Sequence, residues 1–219
     1  FTQDADFWYE DGNIIIVAQE VGFRVYKGFI ASRSEVFRDM ISLAQPVLDS
    51  SCEGTLDGCP YVHVSDTAAE IRSLLRILFI GRQYVFKPYM RRTDLEFDDM
   101  ANCIRLAHKY DIPDLLEDAL EKLEGYYPES DPDSWDTVCG DGPSTRAIVA
   151  LNLAHLTDTP SIFPAAMYDC CNLDGQTILA GRIHSDGAAD FLSPVDLARC
   201  IDGKARLCSR NSQVIREVL

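Results

Sequence analysis

Residues Phe7–Met40 read FWYEDGNIIIVAQEVGFRVYKGFIASRSEVFRDM. Asp11-Gly12 is a turn signal, and Asn13–Gln19 behind it is a β-branched run suited to a buried strand. Gln19–Gly22 can turn the chain into Phe23–Tyr26, where alternation predicts a second strand hairpinned to the first. The period then changes. Ser32-Arg33-Ser34-Glu35 matches a capping box, in which a hydroxyl accepts from the backbone three residues on and the Glu reaches back. Val36, Phe37, Met40, Ile41 and Ala44 follow at helical spacing, and Pro46 ends this helix or lies just beyond it. Nothing in the stretch has a catalytic or cofactor pattern. Two strands followed by a capped amphipathic helix read as the opening of an interaction module.

Downstream, Val47–Pro60 is a polar, Gly-containing loop, and Tyr61–Ser65 alternates as a third strand. Thr67-Ala68-Ala69-Glu70 is a second capping box. It introduces a helix with Ile71, Leu74, Leu75, Leu78 and Phe79 on one face and Gly81 as its stop. A third box, Thr93-Asp94-Leu95-Glu96, precedes a helix lined by Phe97, Met100, Ala101, Ile104 and Ala107. Asp111-Ile112-Pro113 breaks that helix, and Pro113 suits the first turn of the next, whose stripe is Leu115, Leu116, Ala119, Leu120 and Leu123.

Around Tyr127–Pro143 the composition shifts. Pro128, Pro132, Gly140, Gly142 and Pro143 sit among five Asp and Glu, which marks residues 129–143 as a linker. Beyond it, Thr145–Leu156, Ser161–Cys171 and Ser193–Leu219 read as helices. Ser193-Pro194-Val195-Asp196 is a start signal, and Asp202-Gly203 a break within the last segment. The expected architecture is α+β: a small three-stranded sheet flanked by helices over residues 1–128, the linker, and an all-helical extension over 144–219. The chain does not begin with Met and stops at Val218-Leu219 inside an apolar-periodic stretch, so a truncated piece of a longer protein is expected.

Composition narrows the function. The 219 residues are 47% hydrophobic, enough for real cores. The net charge is −15, from 35 acidic and 20 basic residues. An anionic chain repels phosphate backbones and acidic membranes, so neither nucleic acid nor membrane is an expected partner. No apolar run approaches the ~20 residues of a membrane helix. The eight cysteines, Cys52, Cys59, Cys103, Cys139, Cys170, Cys171, Cys200 and Cys208, are expected as reduced thiols of an intracellular protein, nuclear or cytoplasmic. Cys170, Cys171, Cys200, Cys208 and His184 are a poor match to structural zinc spacing. His63, His108, His155 and His184 form no His-Glu-x-x-His pair, and the chain holds no G-x-S-x-G elbow, Walker loop or dinucleotide fingerprint. No enzyme activity, metal or cofactor is expected.

As a set, these motifs resemble a BTB/POZ domain. They are Asp11-Gly12-Asn13-Ile14 opening the strand, Phe23-Arg24-Val25-Tyr26-Lys27 ending the hairpin, Ile30–Phe37 in the helix, and Ala101–Tyr110 with Ile112–Leu123 as paired helices. The resemblance covers roughly Phe7 to Pro128. Trp8-Glu10-Asp11-Gly12, Phe37-Arg38-Asp39-Met40 and His108-Lys109-Tyr110 look most like the BTB proteins common in mushroom-forming (basidiomycete) fungi. The tail is similar to theirs through Phe163–Tyr168, Leu192–Leu197 and Cys200. One departure is Tyr26, where the family's hairpin has His; an aromatic can fill the same buried slot and keep a polar tip.

The resemblance implies a homodimer formed through an apolar face, with Phe7, Trp8, Phe29, Ile30, Val36 and Phe37 as candidates. Such a protein is a non-enzymatic oligomerisation scaffold with further, unidentified protein partners. In the family's transcription co-regulators an acid at the first strand and a base after the hairpin line a charged pocket; here these are Asp11 and Lys27. That branch also swaps an N-terminal strand between subunits, which the six residues before Phe7 make an unexpected feature here. The alternative is a substrate adaptor for a cullin-3 ubiquitin ligase, which in the family uses an apolar-x-Glu motif after the Ser-x-x-Phe helix. Between Ile41 and Pro60 the only Glu is Glu53, with Ser51 two residues earlier, so the motif is not met. The helical tail is either a cap on the first domain or a second partner site.

Overall fold

The computed structural model describes residues 1–43, 55–56, 58–80, 94–128, 144–184 and 187–218. The chain divides into two compact units, Phe1–Ala119 and Leu120–Leu219, and is mixed α and β. The expected linker, 129–143, lies outside the described residues.

Among the described residues, the first unit is built on a sheet of five strands, not three, in the order β1-β3-β2-β5-β4. These are β1 (Thr2–Trp8), β2 (Ile14–Ala18), β3 (Val21–Val25), β4 (Thr55–Leu56) and β5 (Cys59–Val64). The hairpin forms as the pattern predicts: β2 and β3 pair antiparallel from Ile14 opposite Val25 to Ala18 opposite Val21. All five residues of β2 are buried, as expected for a central strand covered on both faces. β5 runs parallel to β2, placing Ile15 opposite Tyr61 and Ala18 opposite Val64.

β1 pairs parallel to β3, with its register interrupted between Gln3 and Trp8. The cause is Asp4. One carboxylate oxygen accepts from the Asp6 and Phe7 amides, each at 3.0 Å, and the other meets Arg72 at 2.7 Å. The sequence TQDADFW has no apolar alternation, so charge-assisted hydrogen bonds fix it where the hydrophobic pattern is silent.

Two short helices follow the hairpin, α1 (Lys27–Arg33) and α2 (Glu35–Leu43), with Ser34 extended between them at φ −144°, ψ 125°. This corrects the expected capping box. Ser34, not Ser32, caps α2: its Oγ accepts from the Phe37 amide at 3.0 Å. Ser32 lies inside α1 and donates to the Phe29 carbonyl at 2.7 Å. Glu35 pairs with Arg38 at 3.4 Å rather than reaching back.

The second box forms as predicted at the start of α3 (Ala68–Ile80). The Thr67 amide donates to Glu70 at 2.8 Å, and the Glu70 amide to the Thr67 hydroxyl at 3.2 Å. Thr93 of the third box lies outside the described residues. The helix behind it, α4 (Asp94–Lys109), ends at Asp111, whose φ of 50° lets the Ile112 amide reach the Ala107 carbonyl at 2.9 Å. α5 (Pro113–Tyr126) then begins on Pro113, as expected.

The second unit holds α6 (Arg146–Thr157), a 3₁₀ turn at Pro160–Ile162, α7 (Phe163–Asn172), α8 (Gly175–Ala180) and α9 (Pro194–Val218). α6 buries Ala147 through Leu151, then Leu153 and Ala154, the pattern of a helix surrounded by others. Two expectations are corrected. The extension is not all helical, because β6 (Arg182–Ile183) pairs antiparallel with β7 (Ala189–Asp190). Nor does the last helix break at Gly203. A Cβ built there would lie 2.7 Å from the Cys171 sulfur, so this glycine serves close packing inside a continuous helix.

Candidate functional site

Helix geometry sorts the residues of α1 and α2 into two faces. Ile30, Ser34 and Phe37 point inward and are buried. Phe37 stacks on Tyr110 with ring centroids 4.1 Å apart. Val36, Met40 and Leu43 stand at i, i+4 and i+7 on another face of α2. Val36 is 40% exposed and Leu43 86% exposed, with Met40 half-buried between them.

Of the six apolar candidates, three are therefore corrected as surface residues. Phe7, Ile30 and Phe37 are at most 1% exposed and belong to the core. Phe7 turns inward because alternation along β1 sends it toward α3, where its ring lies 6.3 Å from that of Phe79. Trp8, one residue on, packs half-buried on the opposite sheet face against Ile15, Val17 and Cys59, beside Tyr61. Phe29 is half-buried with its ring 4.7 Å from Phe79. Val36 alone among the six is exposed. Met40 and Leu43 were not among the candidates, although the 3.6-residue period leads directly from Val36 to both.

Asp11 and Lys27 both lie at the surface, at the open end of the hairpin. Asp11 accepts from the Tyr26 hydroxyl at 2.6 Å, and Tyr26 stacks on Tyr9 at 5.2 Å. That hydrogen bond, followed by burial, raises the Tyr26 phenol above its ordinary pKa. Tyr26 is thus half-buried with a partnered polar tip, rather than sunk in the core. The Lys27 amide donates to Asn13 at 2.8 Å, which fixes the first turn of α1 against the strand. Gly12 belongs to the same corner: its carbonyl takes the Arg24 guanidinium at 2.9 Å, and a Cβ on it would press to 2.9 Å from the Arg24 side chain.

Buried polar groups hold α2 in place. The Ser34 hydroxyl donates to the Tyr110 carbonyl, and the Tyr110 hydroxyl donates to Asp66, which also receives Lys109 at 2.6 Å. Burial and the Asp66 contact push the Tyr110 phenol far above its usual range. His108-Lys109-Tyr110, singled out in the sequence, thus works as a clamp through its last two members, while His108 is exposed.

In the second unit, Asp196 is the hub of a polar cluster. It is 1% exposed and accepts from Ser193 at 2.7 Å and Arg199 at 3.1 Å, with His155 at 2.8 Å. Burial alone would raise this carboxyl; donation by Ser193, His155 and Arg199 outweighs it, and the pKa is lowered. The Ser193 hydroxyl is spent on Asp196 and also accepts from the Asp196 amide at 3.1 Å, so the cluster is a helix start, as its sequence predicts. His184 meets Asp190 at 2.7 Å across the β6–β7 hairpin, a pairing without a local sequence signal. His63 is exposed on β5, edge-on to Tyr61 at 5.4 Å.

Among the described residues, no group of three or more His, Cys, Asp or Glu is arranged to hold a metal ion. No described helix is long and apolar enough to cross a membrane. No protein-family model and no curated protein matches this chain.

Proposed function

We propose that this chain is a non-enzymatic protein–protein interaction and oligomerisation module of BTB/POZ type, and that it pairs with a second copy through the Val36–Met40–Leu43 face of α2. The single observation that carries the proposal is Leu43, a large apolar side chain 86% exposed at the end of a stripe that also exposes Val36. Fully burying such a side chain contributes about 1.5–3 kcal/mol. The order of elements supports this reading: a hairpin, short helices, a strand, then the helices that carry Ala101–Tyr110 and Ile112–Leu123. The rigid mounting of α2 by Ser34 and Tyr110 also suits a docking face, because little side-chain or backbone freedom is left to lose on association.

The test is Val36→Asp and Leu43→Lys, each made in the whole chain. Asp near the start of α2 and Lys near its end suit the helix dipole, so neither costs the helix much on its own account. Each is expected to convert the dimer to monomer, by light scattering, with an unchanged circular dichroism spectrum. A folded variant that keeps the wild-type mass would remove this face from the proposal. Trp8 and Phe29 are poorer probes, since charging either half-buried ring disturbs the monomer itself.

A further inference from the structure

Three thiols lie where α7 packs against α9 in the second unit. Cys170 and Cys171 lie near the end of α7 at 0% and 5% exposure, and Cys200 lies in the second turn of α9 at 1%. None is in a disulfide. The Cys200 sulfur stands 3.3 Å from the sulfur of Met167, which lies one turn before Cys170 and Cys171 on the same face of α7. Contacts one turn further along α9 fix the approach of the two helices. Gly203 abuts the Cys171 sulfur, and the Lys204 ammonium donates to the Leu173 carbonyl at 2.6 Å. Packing alone, without a covalent link, therefore brings the turn that carries Cys200 against the turn that carries Cys170 and Cys171.

The three are not equivalent. Donation from Cys170, and more weakly from Cys171, lowers the Cys200 pKa against the opposing effect of burial. Cys170 is raised by its bond to Cys200 and by burial, and burial pushes Cys171 up to about 11. Cys200 ionises first, and the thiolate is the nucleophilic form.

We propose that Cys200 forms an intrachain disulfide with Cys170 or Cys171 when the protein meets a peroxide, locking the start of α9 onto α7. The Cys200 thiolate attacks one peroxide oxygen and the O–O bond breaks. Cys200 becomes a sulfenic acid, and the departing hydroxide takes up the proton that Cys200 released, giving water. The sulfur of Cys170 or Cys171 then attacks the sulfenic sulfur. The S–O bond breaks, and the oxygen leaves with that thiol's proton as a second water. Two thiols and one hydrogen peroxide give one disulfide and two waters. Because the sulfurs are buried, the first step waits on local opening of α9. This site is independent of the α2 face.

The test uses the full chain carrying Cys208→Ser, which removes an exposed thiol able to link two copies. The protein is treated with hydrogen peroxide, unfolded, alkylated, and digested with trypsin without reductant. The expected product joins the peptide Cys200–Lys204 to the peptide Ala147–Arg182, and reductant separates it. The cross-link should vanish in Cys200→Ala and in the double variant Cys170→Ser, Cys171→Ser; its loss in one of the two single variants identifies the partner. Recovery of Cys200 alkylated, or oxidised without a cross-link, would overturn the proposal, as would a disulfide confined to Cys170 and Cys171. The wild-type peptide map decides the matter even where a variant fails to fold.

Discussion

Replacing Ser34 with Ala removes one oxygen that serves two masters. That oxygen caps α2 through the Phe37 amide at 3.0 Å, and its hydrogen satisfies the Tyr110 carbonyl. Loss of a helix cap costs about 1 kcal/mol. Ser34 is 2% exposed, so water has little access to the carbonyl left behind, and a buried acceptor without its donor costs about another 1 kcal/mol. The expected loss is about 2 kcal/mol, or roughly a 30-fold rise in the population of the open state. Native-state hydrogen exchange at the Phe37 and Arg38 amides reads this directly, as protection falling by that factor. Ser32→Ala is the matched control. Its exposed hydroxyl only bonds back to Phe29 in its own helix, and the expected change is within about 0.5 kcal/mol. Equal effects from the two variants, or a larger effect at Ser32, would refute the placement of the cap.

Gly203→Ala should destabilise the second unit by about 1–3 kcal/mol despite the better helix propensity of Ala, because the new methyl meets the Cys171 sulfur. Gly125→Ala, in α5, meets nothing within 4 Å and should stabilise by up to about 1 kcal/mol; denaturant midpoints compare the pair. Asp196 has a lowered folded pKa, so it contributes stability that is present above the unfolded carboxylate value and lost as pH falls through the folded one. Asp196→Asn should therefore reduce stability at neutral pH and flatten the acid limb of a stability-against-pH curve below about pH 4. An acid limb unchanged by the substitution would remove Asp196 from that titration.

What the sequence made legible was decided within a few residues. The β2–β3 hairpin, the Thr67–Glu70 box, Pro113 at the head of α5 and Ser193 at the head of α9 each depend on neighbours two to eleven positions away, and each formed as expected. What failed was settled by distant groups. Ser32 and Ser34 both fit a cap, and the Tyr110 carbonyl, 76 positions away, decides for Ser34. The polar strand β1 is tied to Arg72, 68 positions from Asp4. Gly203 looked like a stop because its neighbour on α7 is invisible in a linear reading. The candidate site lay between these cases. The family resemblance and apolar identity together put Phe7, Ile30 and Phe37 on a surface, whereas helical phase with Phe37 inward leads to Val36, Met40 and Leu43. The thiol cluster, joining residues 170, 171 and 200, has no sequence signal beyond the cysteines themselves.

The most direct measurement is the solution mass of the unmodified chain by size exclusion with light scattering over a dilution series. Self-association through α2 predicts a species of twice the 24.5 kDa chain mass that gives way to monomer on dilution or with Leu43→Lys. A single 24.5 kDa species persisting at high micromolar concentration would contradict it.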